Sequence, residues 1–365
     1  MALNDLMTTF SKTFSGKKVL ITGNTGFKGS WLTLWLQHLG AEVSGFSNTE
    51  KTQPSMFKDL GIESNITQFY GDIADRNSLL SSLKIVKPDF IFHLAAQSIV
   101  SKSYSSPLET IKTNSLGTAT LLDVLVELKF GGVAVMITSD KCYENDERSS
   151  GYSEDDRLGG RDPYSASKAA AEIFLSTFIR SFFHDSSKQR IGIARAGNVI
   201  GGGDWNENRI VVDCAKAWLK SQKVSIRNPN ATRPWQHVLE PLSGYLRLAQ
   251  KLSETPELHG EAFNFGPDES KVYTVHEVVN RLGKCWGHEE VEDHVGFSEN
   301  KVMHEASLLS LNCEKASQEL SWSPRLEIDE CLKLVADWYK QFGRNPEKLL
   351  QLTLEQIRFY ESKAI

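Results

Sequence analysis

Tyr164 and Lys168 stand four residues apart in the run Tyr164-Ser165-Ala166-Ser167-Lys168, a spacing that puts a phenol and an ammonium on one face of a helix. A free tyrosine ionises near pH ~10, but a cation held beside it favours the phenolate, which can take a hydroxyl proton near neutral pH. Pro163 suits the first turn of such a helix, and Ala166, Ala169, Ala170 and Ala171 favour its continuation. Many helices carry a Tyr and a Lys at this spacing by chance. The weight of the pair therefore rests on the segments around it.

The first of these runs from Lys17 to Thr22, a short apolar stretch that reads as a buried strand. It enters Gly23-Asn24-Thr25-Gly26-Phe27-Lys28-Gly29, and an apolar-periodic helix follows from Ser30 to Leu39. A strand, a glycine turn and a helix let the backbone approach a pyrophosphate, whose charge is met by amides at the helix start. Gly23, Thr25, Gly26, Phe27, Lys28 and Gly29 are therefore candidate dinucleotide-binding residues. A second strand, Glu42 to Phe46, leads into Ser47-Asn48-Thr49-Glu50-Lys51, where a ribose-binding acid is expected about 20 residues after the glycines. Glu50 suits the ribose hydroxyls of NAD and Lys51 suits the 2′-phosphate of NADP, and the loop leaves both open.

Strands and helices then alternate: a strand at Thr67 to Tyr70, a helix at Ser78 to Val86, a strand at Asp89 to His93, a helix at Pro107 to Leu128, and a strand at Val133 to Ser139. Alternation of this kind predicts an α/β fold with a Rossmann-like, doubly wound parallel sheet. The predicted strand ends carry Gly71-Asp72-Ile73, Ala95-Ala96-Gln97 and Thr138-Ser139-Asp140-Lys141. Ligands of an open parallel sheet bind outside the carboxyl ends of its strands, so the three segments should meet at one crevice.

Beyond the Tyr164 helix, a strand from Ile191 to Ala194 runs into Arg195–Trp205, after which alternation weakens. Arg227-Asn228-Pro229-Asn230 and Thr232-Arg233-Pro234-Trp235-Gln236-His237-Val238 interleave basic, aromatic and turn-forming residues. A guanidinium can pair with phosphate and another can stack on a base, which suits a nucleotide diphosphate. Residues 1–196 are thus expected to form the dinucleotide-binding domain and 197–365 mainly a smaller substrate lobe, with segments exchanged between them. From about Leu332 the chain reads as an amphipathic helix with Leu334, Val335, Trp338 and Tyr339 on one side.

A chain of 365 residues, 40% apolar and 24% charged, belongs with ordinary globular proteins. A net charge of −5 gives no general attraction to nucleic acid or anionic lipid. Met1 to Lys17 lacks the basic start and apolar core of a signal peptide, and no stretch approaches the roughly 20 apolar residues of a spanning helix. A cytoplasmic protein is the expectation. Cys142, Cys214, Cys285, Cys313 and Cys331 are odd in number and contain no CxxC pair, which favours reduced thiols and predicts no metal site.

The GxxGxxG loop resembles that of the short-chain dehydrogenase/reductases, and longer blocks narrow the resemblance. Thr22 to Leu32, Thr138 to Tyr143, Arg195 to Trp205 and Arg233 to Val238 are similar to the extended branch of that family that modifies nucleotide sugars, in the family's order from about Lys17 to Trp338. The resemblance implies NAD as cofactor. It places Asp72 and Ile73 at the adenine, Ala95 with Ala96 and Gln97 along the cofactor, and Asn114 as the family's helix-borne Asn. Ser139, Tyr164 and Lys168 complete its catalytic set, and Asn198, Arg209, Arg227, Arg233 and His237 are candidates to hold the substrate. A homodimer built on the helices Pro107–Leu128 and Pro163–Phe183 is also implied.

Within that branch the blocks look like those of the 4,6-dehydratases that act on CDP-glucose in deoxysugar and surface-polysaccharide synthesis. The implied reaction oxidises C4 of the sugar, eliminates water across C5 and C6, and returns the hydride to C6. Oxidation at C4 matters because a ketone acidifies the neighbouring C5 proton. The dTDP-glucose relatives carry Thr-Asp-Glu where this chain has Ser139-Asp140-Lys141. Asp140 then protonates the departing C6 hydroxyl. Lys141 either removes the C5 proton, for which it must be a neutral amine, or stabilises the enolate as a cation with Asp140 or water as the base. Lys102 stands where the resemblance leads one to expect Arg, and Ser149-Ser150 where it leads one to expect Trp before Gly151-Tyr152. Two other readings share parts of this pattern: a nucleotide-sugar 4-epimerase or a dehydratase of another nucleotide hexose, and a non-catalytic dinucleotide sensor. Asp140-Lys141 argues against the epimerase, which needs no elimination pair, and the intact catalytic set argues against the sensor.

Overall fold

The computed structural model describes residues 9–50, 52–148, 150–184, 189–297 and 309–363. Runs rich in apolar and aromatic residues form β1 (Lys18–Thr22), β2 (Glu42–Ser47), β3 (Thr67–Tyr70), β4 (Phe90–His93), β5 (Val133–Ile137), β6 (Arg190–Ala196) and β7 (Ala262–Phe265). They make one sheet in the order β3-β2-β1-β4-β5-β6-β7, parallel at every pairing. The direction of the winding reverses between β1 and β4, and the crevice outside their carboxyl ends is where such a sheet binds ligands.

Period two decides how the sheet is covered, since successive side chains face opposite ways. Val19, Ile21, Phe90, Phe92, Val133 and Val135 join one core, and Leu20, Ile91, Ala134 and Met136 join the other. Helices bury both faces, so β4 and β5 are buried along their whole length, and only His93 at the end of β4 breaks their apolar run. Helix α1 (Phe27–His38) covers the first face with Trp31, Leu32 and Trp35. Helices α2 (Arg76–Val86), α3 (Gly117–Glu127) and α4 (Pro163–Phe182) cover the second with Leu79, Leu121, Leu125 and Leu175.

Helix α4 starts where Asp162 caps it, its carboxylate accepting a 3.0 Å hydrogen bond from the Ser165 amide, with Pro163 in the first turn. The helix read over Pro107–Leu128 is interrupted. Pro107–Ile111 passes into a π-helical turn at Lys112–Leu116 before α3 begins, a wide turn of the kind found at functional sites. Strand β7 comes from beyond residue 197, where the alternation of the sequence has faded. It completes the sheet beside β6, and helix α5 (Leu239–Glu254) leads into it, adding Leu242, Tyr245 and Leu246 to the first core.

The remaining chain adds short strand pairs, Val199–Ile200 with Gln236–His237 and Thr232–Arg233 with Tyr273–Thr274, and further helices. The amphipathic stretch near Leu332 lies in the helix Ile328–Arg344, whose Val335, Trp338 and Tyr339 are fully buried in the same core. A final helix, Leu349–Ser362, packs on α1, where Trp35 donates to Glu361 at 2.8 Å. Among the described residues no helix is long and apolar enough to cross a membrane.

Candidate active site

The loop between β1 and α1 needs glycine for two separate reasons. Gly23 has φ of +75°, and a Cβ on it would lie 2.7 Å from the Ala95 backbone nitrogen at the end of β4. A Cβ on Gly29 would lie 2.2 Å from the Gly23 carbonyl oxygen. No side chain caps α1 at Gly26, and first-turn amides of this kind meet an anionic pyrophosphate. The side chain of Glu50 is 5% exposed: one oxygen ion-pairs with Lys58 at 2.9 Å and the other has no partner among the described residues. A buried acceptor in need of a donor fits a ribose hydroxyl, whereas a 2′-phosphate would set anion against anion, so these residues fit NAD. Lys51 lies outside the described residues.

Ser139 follows β5 and caps a short turn, Asp140–Cys142. Its hydroxyl donates to Asp140 at 2.8 Å, accepts from the Lys141 amide at 3.2 Å, and lies within hydrogen-bonding reach of the Tyr164 phenol. Burial raises Asp140 above the ordinary carboxylate range, against the pull of Lys141, Ser139 and Lys28. Burial also pushes Tyr164 up to about 12, with Ser139 and Arg209 opposing. Lys168 is drawn down to about 8, again by burial, with Glu172 and Cys142 opposing. Desolvation thus favours a neutral phenol at Tyr164, and the phenolate expected from the Tyr164–Lys168 spacing requires a further cation above the ring.

Lys28 leaves the glycine loop for this same place. Its ammonium reaches the Tyr245 hydroxyl at 3.4 Å. Burial, then Arg209 and Lys168, lower it to about 7 against Asp140 and Asp204. On the other side, a Cβ at Gly197 would lie 2.9 Å from Asp140 Oδ2 and 3.5 Å from Pro234. The loop after β6 and the Arg233-Pro234 segment therefore close over Asp140.

Residues 20–335 match the family of GDP-mannose 4,6 dehydratase. The chain belongs to that family. A CDP-glucose 4,6-dehydratase from Salmonella typhimurium is 41% identical over 346 residues, covering 92% of this chain and 94% of that one. A dTDP-glucose 4,6-dehydratase from Haemophilus influenzae is 27% identical over 88% of this chain and 97% of its own. Among solved structures, the dTDP-glucose 4,6-dehydratase of Streptomyces venezuelae, with NAD and TYD bound, superposes with a TM-score of 0.76 at 22% identity, covering 92% of this chain and 99% of that one. The fold is that of the extended short-chain dehydrogenases.

In this family member Asn114 is 1% exposed and its amide is fully used. It accepts from the Gln97 amide at 2.8 Å and donates to the Gln97 carbonyl at 3.0 Å and to Ser167 at 2.9 Å. It therefore braces the β4 loop against the Tyr164 helix. Asp72 accepts from Lys112 at 2.8 Å at the rim, while the Ile73 side chain packs into the core against Gly117. The Ala95 amide donates to Thr22 at 3.2 Å and Ala96 lines the same half-buried turn, while the Gln97 side chain spans Ile99 and Thr110.

Of the substrate candidates, Arg209 comes nearest the chemistry. It pairs with Asp204 at 3.0 Å and its charge reaches both Lys28 and Tyr164. Asn198 is half-buried beside Gly197, Arg227 donates to Asn208 at 3.2 Å, and Arg233 is half-buried with one nitrogen on the Thr232 carbonyl at 2.7 Å. His237 stands apart. It is wholly enclosed, its ring edge-on to Trp31 at 5.9 Å, and burial lowers it to about 3. Its neutral imidazole accepts from the Leu239 amide at 3.3 Å through Nδ1, and Nε2 is buried with no partner among the described residues. Lys102 pairs with Glu109 at 3.2 Å on the surface, and Ser149 lies outside the described residues.

Sequence reading did not single out Glu172 and Arg195. Thr138 donates to Glu172 at 2.6 Å, and Arg195 Nε lies 2.9 and 3.0 Å from its two oxygens. The signal was present, because Tyr164, Lys168 and Glu172 repeat at intervals of four along one helix face.

Proposed function

We propose that this protein converts CDP-glucose to CDP-4-keto-6-deoxyglucose and water, as an NAD-dependent 4,6-dehydratase. The observation that carries the reading is Asp140, a buried carboxyl with a raised pKa hydrogen-bonded to Ser139 beside Tyr164. A 4-epimerase has no use for that acid. The 41% identity with the Salmonella enzyme supports CDP-glucose as the substrate.

The chemistry that NAD supplies when held by the glycine loop, Glu50 and the β4 turn is hydride transfer, out of C4 of the sugar and back into C6. Tyr164 accepts the C4 hydroxyl proton, and Ser139 orients that oxygen. Asp140 gives its proton to the departing C6 hydroxyl, and Lys141 either takes the C5 proton as a neutral amine or, as a cation, stabilises the enolate oxygen while water or the Asp140 carboxylate takes that proton. Lys168 supports Tyr164 and reaches the ribose. Arg209, Arg233 and Asn198 hold the nucleotide diphosphate, the guanidiniums as phosphate partners.

Because the hydride leaves and returns to one sugar, deuterium placed at C4 of CDP-glucose is expected at C6 of the product, undiluted by excess unlabelled NADH in solution. Mass spectrometry of the product reads this. Loss of the label to solvent or to the added NADH would exclude the internal cycle, and a product that keeps its C6 hydroxyl would point to an epimerase.

The same reading divides the chain into a dinucleotide domain over residues 1–196 and a substrate lobe over most of 197–365, and places the enzyme in the cytoplasm. It also includes a homodimer. Leu108 is 80% exposed, and Ile111, Leu116, Ile173, Phe174 and Phe182 are exposed on the helices that flank it, which suits a four-helix interface between copies. Sedimentation should give a dimer at micromolar concentration, and Leu108→Glu with Phe174→Glu should give a folded monomer. A wild-type monomer would count against the interface.

A further inference from the structure

We propose that Glu172, clamped by Arg195 and Thr138, is a positioning residue that fixes the Tyr164–Lys168 helix against the Ser139-Asp140 turn and keeps a negative charge behind the Lys168 ammonium. The proposal rests on the dehydratase reading for its kinetics but not for its geometry. Glu172 is 2% exposed and Arg195 4%. A carboxylate so enclosed is tolerated only with its lone pairs satisfied. Here Thr138 and the Nε and Nη2 of Arg195 all donate to it.

Each partner belongs to a different part of the site. Thr138 immediately precedes Ser139, Asp140 and Lys141. Arg195 lies in β6, two residues before Gly197, where a Cβ would lie 2.9 Å from Asp140 Oδ2. Glu172 itself sits one helical step of four beyond Lys168. Arg195 Nη1 extends the clasp to the Tyr143 hydroxyl at 2.7 Å and the Glu154 carbonyl at 2.9 Å, and Tyr143 donates in turn to Asn264 on β7 at 2.8 Å. One carboxylate thereby links the residues for oxidation to those for elimination, two jobs that must act on adjacent carbons of one sugar. Ångström-scale looseness between them is enough to cost large factors in rate.

The charge has its own effect. The charged and titratable groups whose fields reach Lys168 are Lys28 from α1, His93 from β4, Cys142 from the turn and Glu172 from α4, with Arg195 behind Glu172. His93 is held neutral by burial. Glu172 is the carboxylate in this set, and it opposes the desolvation that draws the proton off Lys168. Without it, Arg195 would be left as an uncompensated cation on the far side.

The test compares Glu172→Gln, Glu172→Asp and Thr138→Val with wild type. Glu172→Gln should lower kcat by roughly tenfold or more with KM for CDP-glucose within about threefold, since the substrate contacts are not touched. Its kcat–pH profile should lose the alkaline side about one unit or more earlier, because a protonated Lys168 is needed and its proton is now held less tightly. Glu172→Asp should bring the alkaline side back, and Thr138→Val should lower kcat without moving it. Titration of Lys168 by NMR of carbon-13-labelled lysine, assigned with Lys168→Arg, reads the charge effect with no substrate present. A folded Glu172→Gln protein with wild-type kcat and an unmoved Lys168 midpoint would overturn the proposal. If that variant does not fold, wild-type kcat in both Thr138→Val and Glu172→Asp, whose shorter carboxylate cannot hold the same clasp, would overturn it. Wild-type protein that leaves CDP-glucose unchanged would sink the substrate reading alone, since the Lys168 titration still decides the role of Glu172.

Discussion

Tyr164→Phe is expected to lower turnover of CDP-glucose by roughly a hundredfold to ten-thousandfold, the range spanned by a single positioned acid–base group. The change removes one oxygen from a side chain that is 7% exposed and leaves the ring in its packing. Helix α4 keeps its Asp162 cap and Pro163 start, and the Asn114–Ser167 brace does not involve the phenol. Circular dichroism and the melting temperature should therefore stay close to wild type, and KM should change far less than kcat. Burial holds the phenol up to about 12 with Ser139 opposing. The hydroxyl is thus a poor base until a cation arrives, and its removal should abolish proton transfer at every pH instead of shifting the profile. A folded Tyr164→Phe protein with turnover within threefold of wild type would remove Tyr164 from the mechanism.

What could be read from the sequence follows from the range over which each signal acts. The strand–glycine–helix start and the alternation up to β5 are local patterns, and β1 to β5 lie within a few residues of where periodicity puts them. Tyr164 and Lys168 stand out for the same reason, since they share one helical run, whereas the resemblance singles out Ser139-Asp140-Lys141, which lie in one turn. Strand β7 was not, because four residues, Ala262–Phe265, follow a stretch without alternation, and only pairing with β6 makes them part of the sheet. Asn114 is singled out by the resemblance alone, as the family's helix-borne Asn. A π-helical turn and the approach of Ser167 from another helix bury it, and neither is visible in a one-dimensional pattern. His237 is picked out by its place in a basic, aromatic block, and its burial edge-on to Trp31 is equally invisible in that block. Burial likewise decided the charges, which spacing alone could not, and it outweighs the charged neighbours at Asp140, Tyr164 and Lys168.

Asp140→Asn should separate oxidation from elimination. The substitution keeps the size of the side chain and an oxygen to accept from Ser139, but takes away the only proton it can give to a departing hydroxyl. Product formation is expected to fall by roughly a hundredfold to ten-thousandfold, again the range of one acid–base group, while proton removal at C4 by Tyr164 continues. In a single turnover, absorbance of reduced nicotinamide bound to the enzyme should rise and persist, where wild type shows at most a transient. The sign of the stability effect guards against a trivial loss of fold. Burial raises Asp140 above its ordinary value, so the folded protein binds that proton more tightly than the unfolded chain. Its contribution is present in full below the unfolded pKa and is lost as pH rises through the folded one. An uncharged Asn escapes that loss, so the melting temperature near neutral pH should equal or exceed that of wild type. Wild-type activity should also fade as pH rises through the Asp140 pKa, and Asp140→Asn should lack that dependence. Fast oxidation with no build-up of the reduced cofactor, and water lost at the wild-type rate, would show that another group supplies the proton.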